Sequence, residues 1–290
     1  MTNTPSAGTL AQVACLLEVS ARKPGNVHRF ADFDDASYLD FAMSAQAIGP
    51  AMDEARNIGV GRAALAAVEA TRRVVSTNTN LGMILLLAPL AAAHEVGCDL
   101  ESAVIRVLNG LTIDDARYAY RAIRMASPGG LGTAVDQDVG DEPTVSLLDA
   151  MRLAADRDLV ARQYATGYAD VFGLALPSLR SALLREFALE DAIIHSYLIT
   201  LGQQPDTLIA RKRGVEVAQE VSRRAAEALD SGDFAALDDF LRQDGHARNP
   251  GATADLMAAA LFAALAEGTI ALPRPSGAFG WNSDLRRSPT

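Results

Sequence analysis

Four separated stretches of this 290-residue chain concentrate side chains that could do chemistry. The first is Glu18-Val19-Ser20-Ala21-Arg22-Lys23-Pro24-Gly25-Asn26-Val27-His28-Arg29. Pro24 and Gly25 turn the chain at the end of a helix. Arg22, Lys23, His28 and Arg29 gather cationic or titratable groups in an otherwise acidic protein. Arg offers phosphate a bidentate fork and Lys a point charge; the same residues also suit an ordinary basic helix end. Two further stretches, Asn78-Thr79-Asn80 and Asn249-Pro250-Gly251-Ala252-Thr253-Ala254-Asp255, each precede a strongly apolar run. The last, Asp206-Thr207 with Arg211-Lys212, follows the turn Gly202-Gln203-Gln204-Pro205. A carboxylate beside two cations suits either a bridge between metal and phosphates or a salt-bridged helix cap. Asp158 falls on a predicted helix four residues before Arg162, a spacing that also makes a surface ion pair.

Other candidates carry less. The glycine-rich segment Ser127-Pro128-Gly129-Gly130-Leu131-Gly132-Thr133 allows close backbone approach to a ligand. It follows a helix rather than a strand, so neither the Rossmann nor the P-loop mechanism applies. The four histidines (28, 94, 195 and 246) show no zinc-pair spacing, and His195, on an apolar helix, reads as a core residue. Carboxylates and amides are the available hard-metal ligands, which suits Mg²⁺.

The elements that must position these residues are helices. Aromatic residues make up only 6% of the chain, no alternating β-branched run stands out, and Ala- and Leu-rich segments dominate. Periodicity and punctuation predict helices near 9–21, 36–57, 60–76, 82–95, 99–109, 112–126, 144–165, 177–187, 188–202, 213–231, 233–243 and 253–267. The expectation is an all-α protein: a single compact multi-helix domain with buried central helices. It has a flexible N-terminus at 1–8, a helical catalytic domain at 9–268 and a Pro/Ser/Arg-containing tail at 269–290. Met83–Leu90 and Leu256–Ala266 are apolar nearly all round, so both should run through the centre. Their N-termini, with free N–H groups and the positive dipole end, would favour an anion in the interior or a cleft. Simple capping accounts for one polar residue at each, since Asn, Thr and Asp are preferred caps.

Composition narrows the partners. With 26 Lys and Arg against 36 Asp and Glu, the net charge is −10, which disfavours nucleic acid and acidic membranes. The chain is 49% hydrophobic, enough for a large core, yet no apolar run is long enough to span a bilayer. Two cysteines without CxxC spacing fit a reducing compartment. The expectation is a cytoplasmic protein acting on small molecules, with an Ala-rich helical surface that allows a homodimer.

Taken in order, Glu18…Lys23-Pro24-Gly25, Asn78-Thr79…Gly82, Asp206-Thr207 and Pro250-Gly251…Ala254-Asp255-Leu256 resemble the triphosphoribosyl-dephospho-coenzyme A synthase family over most of residues 10–267. Members of its long form join the ribose of ATP to a hydroxyl of dephospho-coenzyme A and release adenine. The resemblance implies an all-helical fold, ATP as substrate, a coenzyme-like acceptor and Mg²⁺. This chain departs from the long form at three places: His28 stands for Asp, Asn80-Leu81 for His-Lys, and Leu208 for Asn. It looks like a shorter branch found among archaea and one-carbon-metabolising bacteria, marked by Lys23 to Arg29, Pro128 to Gly132 and Asn249-Pro250-Gly251.

On this reading Glu18, His28, Asp158 and Asp255 are the candidate catalytic residues, with Glu18 or His28 accepting the proton of the attacking hydroxyl. Asp158, Asp206 and Asp255 would hold Mg²⁺. Lys23, Arg29, Arg211 and Lys212 would neutralise phosphates. Asn26, Asn78, Thr79, Asn80, Gly129, Gly130, Thr207, Asn249, Gly251 and Thr253 complete the expected nucleotide-binding set. Two other functions use the same scaffold: synthesis of a one-carbon coenzyme such as a pterin or furan carrier, and non-catalytic nucleotide binding.

Overall fold

Every regular element among the described residues of the computed structural model (5–95, 97–127 and 136–272) is helical. Gly129, Gly130 and residues 273–290 lie outside them. The first half comprises α1 (Ala7–Ser20), α2 (Tyr38–Asp53), α3 (Ala55–Ile58), α4 (Val60–Val74), α5 (Leu81–Ala93), α6 (Leu100–Asn109) and α7 (Ile113–Ala126). The second comprises α8 (Leu147–Ala154), α9 (Leu159–Thr166), a π-helical turn (Val171–Ala175), α10 (Leu176–Leu184), α11 (Leu189–Gln203), α12 (Thr207–Arg213), α13 (Val215–Ser231), α14 (Phe234–Arg242) and α15 (Gly251–Ala266). No described helix is long and apolar enough to cross a membrane.

The two apolar stretches are the centre. In α5, 12 of 13 residues are buried, and in α15, 13 of 16. They pack against each other and against α1; α2, α4, α6 and α7 surround α5, while α10, α11 and α12 border α15. A helix without a polar face must be enclosed in this way, because any face left in water would expose apolar surface.

Proline inside a central helix removes one N–H and leaves the carbonyl four residues earlier unpaired. In α5 that carbonyl is Leu85 O, opposite Pro89, and the buried Tyr164 hydroxyl donates to it at 2.5 Å. Tyr168, also buried, donates to the next carbonyl, Leu86 O, at 2.7 Å. The same device recurs in α2. There Pro50 frees Gln46 O, and the Gln12 side-chain amide on α1 donates to it at 2.7 Å. The α1–α2 crossing is close because it is made through Gly8 and Gly49: a β-carbon on Gly8 would lie 2.2 Å from Gly49 O.

Three boundaries differ from the sequence expectation. The first helix starts at Ala7, two residues before the expected start, capped by Ser6, and the Gly8 N–H donates to Asp53 at 2.6 Å. The helix expected over 36–57 divides at Glu54 into α2 and α3. That expected over 144–165 divides into α8 and α9, because Asp158 takes an extended conformation and caps the second helix by accepting from Ala161 N. Neither α12 nor the π turn was expected. At the other end, Ile270 and Leu272 pack on the core, inside the segment expected to be tail.

Candidate active site

The α1 C-terminus holds the first functional stretch in place. Lys23 is fully buried; its ammonium pairs with Glu18 Oε1 at 2.9 Å and also donates to the carbonyls of Glu18 and Ala21 at the end of α1. Tyr197 on α11 donates to Pro24 O, and Asp238 on α14 accepts the N–H of Gly25, whose φ of +77° suits only glycine well. Lys23 therefore neutralises Glu18 and the helix end rather than a phosphate. Arg29 pairs with Glu190, as does Arg22, away from the other candidates. His28 accepts from Phe30 N, and burial, followed by the charge of Arg242, pushes its pKa down to about 4. A neutral imidazole of such low basicity is a poor proton acceptor at pH 7.

Asp206 is equally committed. Its two oxygens accept from Leu208 N, Ile209 N, Thr253 N and Thr253 Oγ1, at 2.8, 3.2, 2.7 and 2.9 Å. It caps α12 and ties that helix to the first turn of α15. Thr207 likewise accepts from Leu159 N at the start of α9. Asp158 spends one oxygen on its own cap and pairs the other with Arg211; Arg162, its expected partner, binds Asp170 instead. The three carboxylates expected to hold Mg²⁺ thus do not converge with open oxygens. Among the described residues no three His, Cys, Asp or Glu side chains form a metal-holding group. The described residues thus form no all-protein magnesium cage; Asp158 and Asp255, which line one cavity, are the carboxylates that would share such an ion with substrate phosphates.

What does converge is a cavity of about 640 Å³, within the usual range for ligand pockets. Asn78, Asp158, Arg211, Lys212, Asn249 and Asp255 line it together. Adjoining it, with Asn78, Asn249 and Asp255 in common, a recess of about 130 Å³ lies between the N-termini of α5 and α15. Glu18, Asn26, Thr79, Asn80, Gly251 and again Asn78, Asn249 and Asp255 form its wall. Three of the four stretches thus reach the recess. The fourth reaches the wider cavity through Arg211 and Lys212, while Lys23, His28, Arg29, Asp206, Thr207 and Thr253 line neither space.

Electrostatics divide the space. Burial, reinforced by the charges of Glu18, Asp206 and Asp158, holds the Asp255 carboxyl well above the usual carboxylate range. Burial also raises Glu18, against the opposing pull of Lys23. Asp255 sits so close to the first turn of α5 that a β-carbon on Gly82 would lie 1.9 Å from its Oδ2. The cations face the wider cavity instead. Arg157 and Lys212 have no ion pair within 4 Å among the described residues, and burial lowers the Lys212 pKa.

Sequence reasoning passed over the apolar and aromatic residues of the cavity lining, among them Phe33, Phe41, Leu85, Tyr120, Ile123 and Met151. His246 stacks on Phe33 in that lining, with centroids 5.1 Å apart. Phe33 and Phe41 follow the first cationic stretch in an aromatic-poor chain, and that was the signal available. Arg157, beside the chosen Asp158, was the other omission. His195 packs edge-on against Phe187, outside the cavity.

A crystal structure from Archaeoglobus fulgidus, described as a triphosphoribosyl-dephospho-CoA synthase, superposes with a TM-score of 0.65 at 28% identity, covering 78% of this chain and 98% of that one. No curated protein matches the chain significantly. The family described as CitG, ATP:dephospho-CoA triphosphoribosyl transferase, matches residues 4–273. The chain belongs to the ATP:dephospho-CoA triphosphoribosyl transferase family.

Proposed function

We propose that this protein transfers a phosphorylated ribosyl group from ATP to a hydroxyl of a dephospho-coenzyme A-like acceptor and releases adenine. The observation that carries the reading is one cavity and its recess with three kinds of lining: carboxyl, cationic and aromatic. A nucleotide has a matching division. Its phosphates suit Arg157, Arg211 and Lys212, and its planar base suits the faces of Phe33, Phe41 and Tyr120.

Breaking the bond to the anomeric carbon develops positive charge on the sugar, as in glycoside cleavage, and nearby carboxylates stabilise it. Asp255 and Glu18 are the carboxyls able to do so from the recess. A raised pKa also brings such a group closer to the acidity at which it can accept the proton of an attacking hydroxyl at neutral pH. Glu18, Asp158 and Asp255 keep their place as candidate catalytic or positioning residues; His28 does not. Magnesium enters this scheme only as the counter-ion that ATP brings on its phosphates.

The test is chromatographic detection of free adenine after incubation with MgATP and dephospho-coenzyme A. Wild-type protein is expected to release adenine in step with acceptor consumption, and Asp255→Asn to lose it. Absence of adenine from the wild type, with ATP bound, overturns the transfer reaction.

A further inference from the structure

The recess between the two central helix N-termini is not the anion site that free helix ends suggest. Its wall carries two carboxyl groups, Glu18 and Asp255, and the one ammonium nearby, Lys23, is sealed behind Glu18 with three acceptors already engaged. A phosphate there would meet two acids and no available cation. A cation is opposed as well. The Asn80 side chain does not cap α5, and Asn78 Oδ1 accepts only from Leu81 N at 3.2 Å, so the positive end of the helix dipole opens on the recess that Gly82 and Met83 line.

Two polar atoms in this wall are sealed from solvent and lack a partner. Asn80 is 5% exposed, and its Nδ2 has no acceptor among the described residues. Asn26, also 5% exposed, uses Nδ2 on Asn249 Oδ1 but leaves its own Oδ1 unpaired. A buried donor and a buried acceptor left open in the wall of one recess cost stability unless something fills them. The occupant must therefore both accept and donate hydrogen bonds, carry no net charge and fit a space for one small ring.

We propose that this recess is a subsite for a neutral polyhydroxyl ring, the ribose of the nucleotide. Its hydroxyls meet Asn26, Asn80 and the two carboxyls, and its phosphates point outward to Arg211 and Lys212. The proposal rests on the ribosyl-transfer reading and fixes which end of the ligand faces inward. It places the anomeric centre beside Asp255 and leaves the helix ends to the sugar rather than the phosphates.

Titration calorimetry with ATP, 2′,3′-dideoxy-ATP and inorganic tripolyphosphate tests it. Wild-type protein is expected to bind the dideoxy nucleotide about tenfold more weakly than ATP, the worth of one or two hydrogen bonds. Asn80→Ala should weaken ATP by a similar factor and abolish the discrimination. It should leave tripolyphosphate binding unchanged and the melting temperature of the free protein unchanged or higher, since it deletes an unpaired donor. Lys212→Ala should do the reverse, weakening tripolyphosphate while preserving the preference for ATP over its dideoxy analogue.

Equal affinity of the wild type for ATP and dideoxy-ATP overturns the subsite. So does an Asn80→Ala protein that loses tripolyphosphate as strongly as ATP. Should neither nucleotide bind, ribose 5-phosphate replaces them, and its failure to bind overturns the subsite too. Hydroxyl-dependent binding without adenine release would instead defeat the transfer reaction and leave the subsite standing.

Discussion

Asp206 and Asp255 are both buried acidic residues near the start of a helix, yet the chain uses them differently. Asp206 accepts four hydrogen bonds and is fully buried, so Asp206→Ala should destabilise the free protein by at least about 3 kcal/mol in a denaturant titration. Lys212, on the cavity wall, should behave oppositely: Lys212→Ala is expected to weaken ATP about tenfold with little change in melting temperature. His28 supplies a pH signature. It stays neutral in the folded protein down to about pH 4, whereas in the unfolded chain it protonates near 6.5. The unfolded state thus binds the extra proton between those values, and stability present above pH 6.5 is lost as pH falls toward 4. His28→Gln should flatten that part of the pH–stability profile. The sequence marks all these residues as candidates but does not separate them. A cap and a ligand-facing acid are the same residue type near a helix start, and only the partners of each oxygen tell them apart. Lys23 illustrates this most sharply, since a basic residue after a helix reads as solvent-facing until Glu18 is found behind it.

At the scale of elements, the apolar runs that become α5 and α15 are legible because no polar face interrupts them, and their central position follows from that alone. The break between α8 and α9 is not legible. The apolar period continues through Ala155–Asp158, and Asp158 acts as a cap only because Arg211 and the start of α12 meet it there. α12 is too short for its period to show. Nor does the sequence show how Pro89 is tolerated at the core. Tyr164→Phe should leave Leu85 O unpaired and cost about 1–3 kcal/mol. Adding Pro89→Ala restores an N–H for that carbonyl, so the double variant should recover part of the loss. Equal losses with and without the proline would mean that the hydroxyl does not compensate for it.

For the molecule as a whole, the cavity is enclosed by residues from distant parts of the chain, including α5, α7, α8, α9, α12 and α15. A ligand that fills it stabilises only the folded arrangement, so ATP at about 100 times its Kd should add about 2.7 kcal/mol. Hydrogen exchange should slow together at Asn78–Gly82, Arg211–Lys212 and Asn249–Asp255, although these segments are far apart in sequence. Composition foretold a large helical core and an acidic surface, but not the cavity's three kinds of lining, which exist only once the helices meet. One consequence follows from setting two acidic groups with raised affinities for protons in the wall of the recess. A neutral ring that displaces water drives proton uptake by whichever of them is still ionised, and a positive ion drives release from whichever is protonated. Heats of association compared across buffers of different ionisation enthalpy carry the sign of that exchange, so calorimetry can reveal the charge of the guest before any complex is seen.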